Sequence, residues 1–411
     1  RGHRVVFAAE ASWNGRLAPL GFAEDLVDLS APPDPDPAAP PQDAGQFWKD
    51  FIRDTAPEFR KPTIEQLATF MQPTWQALID GAKYCEPQLR EIIARQRPDV
   101  IVEDNVISFP ALQTAGKPYV RIVSCNPLEI RGPGDAGREI APAYSGLPAD
   151  DRSQWQAFRE EYDRTHRPTW EDFDAWCRDQ GTAPLPELEF EHTSRDLNLY
   201  VFPQVADYTD RRPLDATWRR LDSSVRATDG EFDLPPELAN RPVGSALVYL
   251  SLGSLGSADV SLMRRLVAVL ADTPHRYIVS MGPQHADYAL APNMWGAEFL
   301  PQTNIVPLVD LVITHGGNNT TTEAFHFGKP MVVLPLFWDQ YDNAQRVAET
   351  GFGVRLPTYA FADDDLRGAI DRLLEDTDLR GRMARIGAEI RARDGVAKAA
   401  DAIEALGRAG R

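Results

Sequence analysis

A glycine-rich segment between an apolar run and a predicted helix carries the clearest chemical signal in this sequence. His315 and glycines 316 and 317 directly follow the apolar residues 311–314, and Glu323 falls one turn into the next helix. Glycines let the backbone approach a ligand closely, and the free N–H groups of residues 319–321 at a helix start favour an anion. His315 adds a donor at the same place. The segment therefore predicts a diphosphate site.

A second polar pair, Asp339 and Gln340, follows the next apolar run, residues 331–334. If both runs are parallel strands, their carboxyl ends lie at the sheet edge where ligands bind in open α/β folds. A carboxylate and an amide suit the vicinal hydroxyls of a sugar, and Glu323 can accept hydrogen bonds from a ribose diol. Residues suited to a diphosphate, a ribose and a sugar thus occur close together in the sequence, and they predict a site for a nucleotide-sugar donor.

Residues 299–343 resemble the donor-binding signature of the UDP-glycosyltransferase superfamily, whose members are inverting enzymes of the GT-B fold. The resemblance implies that Phe299 and Leu300 stack on or flank the uracil and that Gln302 contacts the base or the ribose. The other implied contacts are the diphosphate with His315, Asn319 and Thr320, the ribose with Glu323, and the sugar with Asp339 and Gln340.

The loop at residues 251–254 resembles the family's first strand-end loop in the same domain, which places Gly253 and Ser254 against the diphosphate. Gly317 and Asn318 complete the implied donor site. Two positions depart from the plant members, because Phe299 replaces their usual Trp and Asn318 stands at their second Trp. These departures leave the preference between uridine and thymidine open.

The resemblance also implies a direct displacement at the anomeric carbon, in which a His takes the acceptor proton and an Asp stabilises the imidazolium. Asp104, after the apolar residues 100–102, matches that Asp, with capping of the following helix as the alternative. The family's His lies after a first strand. We expect this first strand and the helix after it to precede Arg1. His3 is not assigned the role of general base, because it falls at the entry of the family's second strand.

Composition excludes several classes of function. The chain has 411 residues and a net charge of -18, which would repel a nucleic acid backbone. Its three cysteines, Cys85, Cys125 and Cys177, indicate neither a disulfide framework nor a zinc site and fit a reducing cytoplasm. No apolar stretch is long enough to predict a membrane span. We expect no metal or cofactor, and the sequence does not indicate the oligomeric state.

Near-continuous apolar runs alternating with helical patterns predict an α/β protein with parallel sheets in two Rossmann-like domains that face each other across a cleft. The predicted division is an acceptor-binding domain at 1–220, a linker at 221–242 and a donor-binding domain at 243–411. Residues 32–41 are expected to form a surface loop and residues 140–180 an irregular insertion. Trp13, Phe70, Trp75, Tyr84 and that insertion are expected to line the acceptor pocket.

The predicted function is transfer of a hexose, with glucose favoured, from a UDP-sugar to a hydroxyl of a lipophilic or aromatic alcohol or phenol. The alternatives are a non-catalytic sugar-nucleotide-binding subunit and a sugar-nucleotide epimerase. Two other motifs are interpreted as coincidences. Residues 132–137 match a dinucleotide fingerprint but follow no strand, and residues 34–36 form an Asp-x-Asp within a Pro-rich stretch.

Overall fold

The structure is a computed structural model that describes residues 2–31, 54–131, 137–222, 224–226 and 230–409. The Asp-x-Asp at 34–36, the rest of the expected loop at 32–41 and most of the fingerprint at 132–137 lie outside the described residues. Within the described residues, no helix is both long enough and apolar enough to span a membrane.

The C-terminal half is built on a six-stranded sheet in the order β12-β11-β10-β7-β8-β9, with every neighbouring pair parallel. Its central strands are almost wholly apolar and buried, as expected where helices cover both faces. The strands are β7 (Leu247–Ser251), β8 (Arg276–Ser280), β9 (Met294–Ala297), β10 (Leu311–Thr314), β11 (Met331–Val333) and β12 (Gly353–Arg355).

The N-terminal half contains two parallel sheets. Strands β1 (Val6–Glu10) and β2 (Ala23–Val27) form a pair, and a second sheet has the order β3-β4-β5-β6. Its strands are β3 (Ile101–Asp104), β4 (Tyr119–Val123), β5 (Leu197–Val201) and β6 (Trp218–Leu221). Parallel sheets in both halves confirm the predicted α/β class, and β10 coincides with the apolar run at 311–314.

The α-helices of the described residues pack around these sheets. They are α1 (Thr63–Gln66), α2 (Gln72–Gln96), α3 (Pro110–Gln113), α4 (Trp155–Asp179), α5 (Pro236–Ala239), α6 (Gly253–Gly256), α7 (Val260–Ala271), α8 (Gln302–Ile305), α9 (Asn318–His326), α10 (Gln340–Glu349), α11 (Asp363–Glu375), α12 (Thr377–Ala392) and α13 (Gly395–Ala409).

The expectation of an irregular segment at 140–180 is wrong, because α4 occupies 25 residues of it. The buried face of α4 recurs every three or four residues, which is the helical period. Its members are Trp155, Phe158, Tyr162, His166, Thr169, Phe173 and Cys177. Several of these residues are polar or aromatic, so an interpretation based on composition does not detect their helical spacing. The sequence analysis also did not predict four short strands: β2, β6 and β12, which contain charged residues, and β9.

The last helix, α13, lies on the N-terminal sheet although the chain has already completed the C-terminal one. Ala399 is buried against Val120, Leu197 and Leu199, and the apolar residues of the next turns extend the same cluster. The halves are therefore joined by the end of the chain as well as at residues 221–242. The domain division itself stays a prediction, with α13 packed against the half that precedes the linker.

Candidate active site

The predicted diphosphate loop lies where β7 and β10 end side by side, with Ser251 paired in register with Thr314. The imidazole of His315 lies across the backbone of two glycines. A Cβ on Gly253 would be 3.0 Å from Cε1 and Nε2 of His315, and a Cβ on Gly317 would be 2.6 Å from Nε2. Glycine at both positions is thus a packing requirement of the histidine, and Gly253 also adopts a left-handed φ of +69°.

Burial lowers the pKa of His315 to about 4, against a smaller opposing effect of a hydrogen bond with the Ser251 backbone. The imidazole is therefore neutral near pH 7. A neutral ring offers one N–H donor and one acceptor, so at this position it can donate to a phosphate oxygen without carrying charge.

Helix α9 starts earlier than predicted. Its N-cap is Gly317, and its hydrogen-bond ladder begins with Thr321 N donating to Gly317 O at 3.0 Å. The first-turn N–H groups ahead of this ladder therefore belong to residues 318–320, not to 319–321 as expected. The exposed residues Asn319 and Ser254 lie at the open side of this loop.

Asn318 joins the two halves of the molecule. Its amide Nδ2 donates to Ser124 O at 2.9 Å and to Val201 O at 2.8 Å, which are the ends of strands in the N-terminal sheet. The side chain is buried, while the backbone N–H stays in the first turn of α9. The Asn318 side chain thus links the start of α9 to the N-terminal half, and its role in donor binding stays a prediction.

Gln302 and Glu323 lie together, as the resemblance implies. Gln302 Oε1 accepts from Tyr249 Oη at 3.1 Å, and its Nε2 donates to Thr320 Oγ1 at 3.1 Å and to a carboxylate oxygen of Glu323. All three site residues, Gln302, Thr320 and Glu323, are buried. The amide thereby fixes the orientation of the Glu323 carboxylate close to the start of α9, a position that suits a ribose.

Phe299 is 67% exposed and Leu300 packs partly against the core. The Phe299 ring is thus not part of the core. An exposed aromatic ring next to the Gln302 network leaves a flat surface available to a nucleobase.

Asp339 is buried against the opposite half of the molecule. Its Oδ2 accepts from Asn126 N at 2.9 Å and from Asn343 Nδ2 at 3.2 Å. Burial raises the pKa of Asp339 to about 7, which those hydrogen bonds only partly offset. Gln340 instead turns back on its own loop, where Oε1 accepts from Leu336 N at 3.1 Å and Phe337 N at 3.3 Å.

The sequence interpretation missed Asn343 and Asn126. Asn343 Nδ2 donates to Gly316 O at 2.8 Å, and Asn343 Oδ1 accepts from Asn126 Nδ2 at 2.8 Å. One amide thereby ties the glycine loop, Asp339 and the N-terminal half together. The local sequence signal that could have indicated this role is an Asn one helical turn after Asp339, in the first turn of α10.

Asp104 lies at the exposed end of β3, where its Oδ1 accepts from Ser124 Oγ at 2.7 Å. The surrounding protein desolvates the carboxyl group and raises its pKa, and the Ser124 hydrogen bond opposes this shift. Within the described ranges no histidine lies within hydrogen-bond distance of Asp104. His3 forms a pair with Glu404 at 2.8 Å, on α13.

An aromatic cavity lies in the N-terminal half, and charged side chains that include Arg121, Glu129 and Glu191 also line it. Trp75 and two residues of the expected insertion, Tyr144 and Tyr162, line it. The other expected lining residues lie elsewhere, because Phe70 is buried in the core and Trp13 and Tyr84 are exposed on the surface.

Trp338 connects this cavity with the donor site. It adopts a left-handed φ of 55°, which is strained for a bulky side chain and is typical of functional positions. Its Nε1 donates to Glu129 Oε1 at 3.2 Å, and its ring lies 5.0 Å from that of Trp75 and 5.4 Å from that of Tyr144. The next residue is Asp339, so donor and cavity residues are adjacent in the chain.

Comparisons with known proteins agree with this geometry. Residues 264–406 match the family model described as erythromycin biosynthesis protein CIII-like, C-terminal domain. The chain is 27% identical to oleandomycin glycosyltransferase of Streptomyces antibioticus over 98% of this chain and 84% of that protein. It is 25% identical to NDP-glycosyltransferase YjiC of Bacillus subtilis (strain 168), over 78% of this chain and 76% of that protein.

Solved structures share the fold. A glycosyltransferase of kitacinnamycin aligns with a TM-score of 0.70 at 22% identity, covering 99% of this chain and 92% of the other. The spinosyn rhamnosyltransferase SpnG, solved with thymidine diphosphate, aligns with a TM-score of 0.58 at 20% identity, covering 95% and 89%. These matches support the resemblance to the UDP-glycosyltransferase superfamily, and the chain is a glycosyltransferase of the GT-B fold.

Proposed function

We propose that this enzyme transfers a hexose from a UDP-sugar, with inversion, to a hydroxyl group of a lipophilic or aromatic small molecule. One observation carries the proposal: the consecutive residues Trp338 and Asp339 face two different compartments. Trp338 contacts Glu129 and Trp75 at the aromatic cavity, whereas Asp339 lies beside the glycine loop that suits a diphosphate. A molecule in the cavity and a sugar at Asp339 would therefore meet.

The chemistry follows from the groups on each side of that meeting point. Neutral His315 and the first-turn N–H groups of α9 would stabilise the diphosphate as it leaves. Asp339 would hold hydroxyls of the sugar. Asp104, which accepts a hydrogen bond from Ser124, would stabilise the protonated form of the general base that takes the acceptor proton. The family resemblance assigns that base to a histidine.

Thymidine diphosphate is the second candidate for the donor nucleotide. Two structural neighbours, SpnG and VinC, were solved with thymidine diphosphate or dTDP, and a relative from Streptomyces fradiae is named a demethyllactenocin mycarosyltransferase. In this chain Phe299 offers the base an exposed phenyl ring, which carries no hydrogen-bonding group, so either pyrimidine could stack on it. UDP-glucose remains the first donor to test.

Thermal unfolding with UDP, TDP and NAD tests the donor assignment. We expect UDP to raise the melting temperature most, TDP to raise it if the second candidate holds, and NAD to leave it unchanged, since ligands that bind only the folded state stabilise it. Stabilisation by NAD alone, or by none of the three, would refute the proposal. A screen of phenols and alcohols with UDP-glucose then tests transfer itself.

A further inference from the structure

Asn318 is the first residue of α9, and its side chain reaches into the N-terminal half of the molecule. Its Nδ2 donates to Ser124 O, just after β4, at 2.9 Å and to Val201 O, at the end of β5, at 2.8 Å. Both partners are carbonyl oxygens, so a side chain that bonds both must present two N–H donors. Asn318 is only 6% exposed. This amide therefore fastens the start of α9 to two neighbouring strand ends.

The first turn of α9 is also held by a residue of the C-terminal half. Thr320 Oγ1 accepts from Gln302 Nε2 at 3.1 Å, and Gln302 is one of the residues assigned to the nucleoside. Asn319, between Thr320 and Asn318, is exposed. The turn that presents the N–H groups proposed for the diphosphate is therefore fixed by two side chains, one toward each half of the molecule.

Ser124 joins the contact of Asn318 to the predicted catalytic carboxylate. While its carbonyl accepts from Asn318, its Oγ donates to Asp104 Oδ1 at 2.7 Å. Strands β3 and β4 are paired with Asp104 opposite Ile122, so Asp104 and Ser124 lie at the same edge of the sheet. Hydrogen bonds through one residue, Ser124, thus connect the first turn of α9 with the carboxylate at the end of β3.

The proposed reaction requires a fixed distance and direction between these two groups. In a direct displacement the acceptor oxygen enters opposite the leaving diphosphate, so the partner of the base and the diphosphate site must be aligned with each other. Asp104 belongs to the N-terminal half and α9 to the C-terminal half, so contacts between the halves set this alignment. A displacement of about 1 Å can lower a rate about 100-fold.

We propose that the side chain of Asn318 is a positioning group, which fixes the start of the diphosphate helix against Ser124 and, through Ser124, against Asp104. The amide acts through these residues and would itself touch neither donor nor acceptor. The inference rests on the proposed function, because it takes the first turn of α9 as the diphosphate site and Asp104 as the partner of the base. It adds that a diphosphate bound at α9 also orders the strand ends of the N-terminal half.

Hydrogen–deuterium exchange with and without saturating UDP tests the proposal without requiring turnover. In the wild type, UDP should slow amide exchange in the glycine loop at 315–321, where it is proposed to bind. It should also slow exchange by about fivefold or more in the segment after β4, residues 124–130, because Asn318 passes the restraint to Ser124. Slower exchange in the glycine loop alone would show that the two sites are not coupled and would overturn the proposal.

The variant Asn318→Leu keeps the approximate shape of the side chain and the backbone N–H but removes both donors. Calorimetry should show a UDP affinity within about threefold of the wild type, and UDP should still protect the glycine loop. The protection of residues 124–130 should be lost. Asn318→Ala, which leaves space for water at the two carbonyls, should behave in the same way and serves if the leucine variant does not fold.

The control is Arg346→Ala, which removes a contact of the same kind between the halves. Arg346 lies on α10, and its Nε and Nη2 donate to Ala206 O and Asp207 O, both at 2.7 Å. The variant should lose stability with and without UDP, as for any lost contact between the halves. The UDP-dependent protection of residues 124–130 should remain, because the link from α9 to Ser124 is intact.

The outcomes separate this inference from the donor assignment. If UDP protects residues 124–130 equally in Asn318→Leu and in the wild type, the positioning role is refuted and the donor site stands. A loss of UDP affinity of more than about tenfold in Asn318→Leu would show that the side chain binds the donor itself, which also refutes that role. If neither UDP nor TDP protects the glycine loop of the wild type, the proposed function fails, and the coupling fails with it.

Discussion

A methyl group on Gly317 would lie 2.6 Å from Nε2 of His315, closer than Cβ atoms approach ring nitrogens in proteins. The imidazole therefore occupies the space that any side chain at residue 317 would need. Because Gly317 is also the N-cap of α9, the histidine is fixed against the helix end where the diphosphate is proposed to bind.

We expect Gly317→Ala to displace His315 and to weaken UDP binding by about tenfold or more, through loss of the ring's position at the α9 terminus. The control is Gly381→Ala, inside α12, where an added Cβ meets nothing within 4 Å. That change should stabilise the protein by about 0.5–1 kcal/mol, the usual gain for Gly to Ala in a helix. Calorimetric binding of UDP to both variants checks the prediction, and unchanged affinity in Gly317→Ala would contradict it.

Asp339→Ala should reduce the affinity for UDP-glucose about 10- to 100-fold while changing that for UDP less than about threefold. The carboxylate is expected to contact sugar hydroxyls and to leave the phosphates to the glycine loop. The comparison of Kd for the two ligands isolates the sugar contribution. If both affinities fall equally, Asp339 supports the nucleotide site or the fold and does not recognise the sugar.

Asn343→Ala should destabilise the protein by about 2–3 kcal/mol. The amide makes three hydrogen bonds with Gly316 O, Asn126 Nδ2 and Asp339 Oδ2, and its removal leaves those buried groups unsatisfied. The exposed Asn319→Ala should change stability by less than about 0.5 kcal/mol. Urea unfolding of both variants measures the difference, and similar midpoints would show that Asn343 does not hold the loop.

The carboxyl groups of Asp342 and Asp339 should make the stability of the protein fall as the pH rises from about 4 to about 8. Burial raises the pKa of Asp342 to about 8 and that of Asp339 to about 7, from an ordinary value of 3.8. Between those values the folded protein retains protons that the unfolded chain has released, so the stabilisation is complete below the unfolded pKa and is lost as the pH rises through the folded one.

The variant Asp342→Asn cannot release that proton. Its melting temperature should decline less steeply over the same pH range than that of the wild type, whatever its absolute stability. Asp342 also accepts from Tyr144 N at 2.5 Å and Gly146 N at 2.8 Å, so some loss of stability at low pH is expected as well. Parallel declines in the two proteins would show that Asp342 does not carry the pH dependence.

The sequence alone determined the α/β class, the superfamily resemblance and the position of the glycine loop that is proposed to bind a diphosphate. Each of these depends on residues close together in the chain: apolar runs such as Tyr119–Val123 and Leu197–Val201, and a histidine with two glycines ahead of a helix. Backbone conformation at such positions follows from local sterics and periodicity, which can be read without knowing what packs against them. It also placed Gln302 near Glu323 through the family resemblance.

Only the tertiary structure decided how the two halves meet. Asp339 and Asn126 are 213 residues apart in the chain, and Trp338 and Glu129 are 209 apart, yet each pair is in hydrogen-bond contact. The same holds for α13, which packs on the N-terminal sheet. Such contacts have no local sequence signature, because they form where elements that are distant in the chain pack together. Many other residues of the same types could equally have made them.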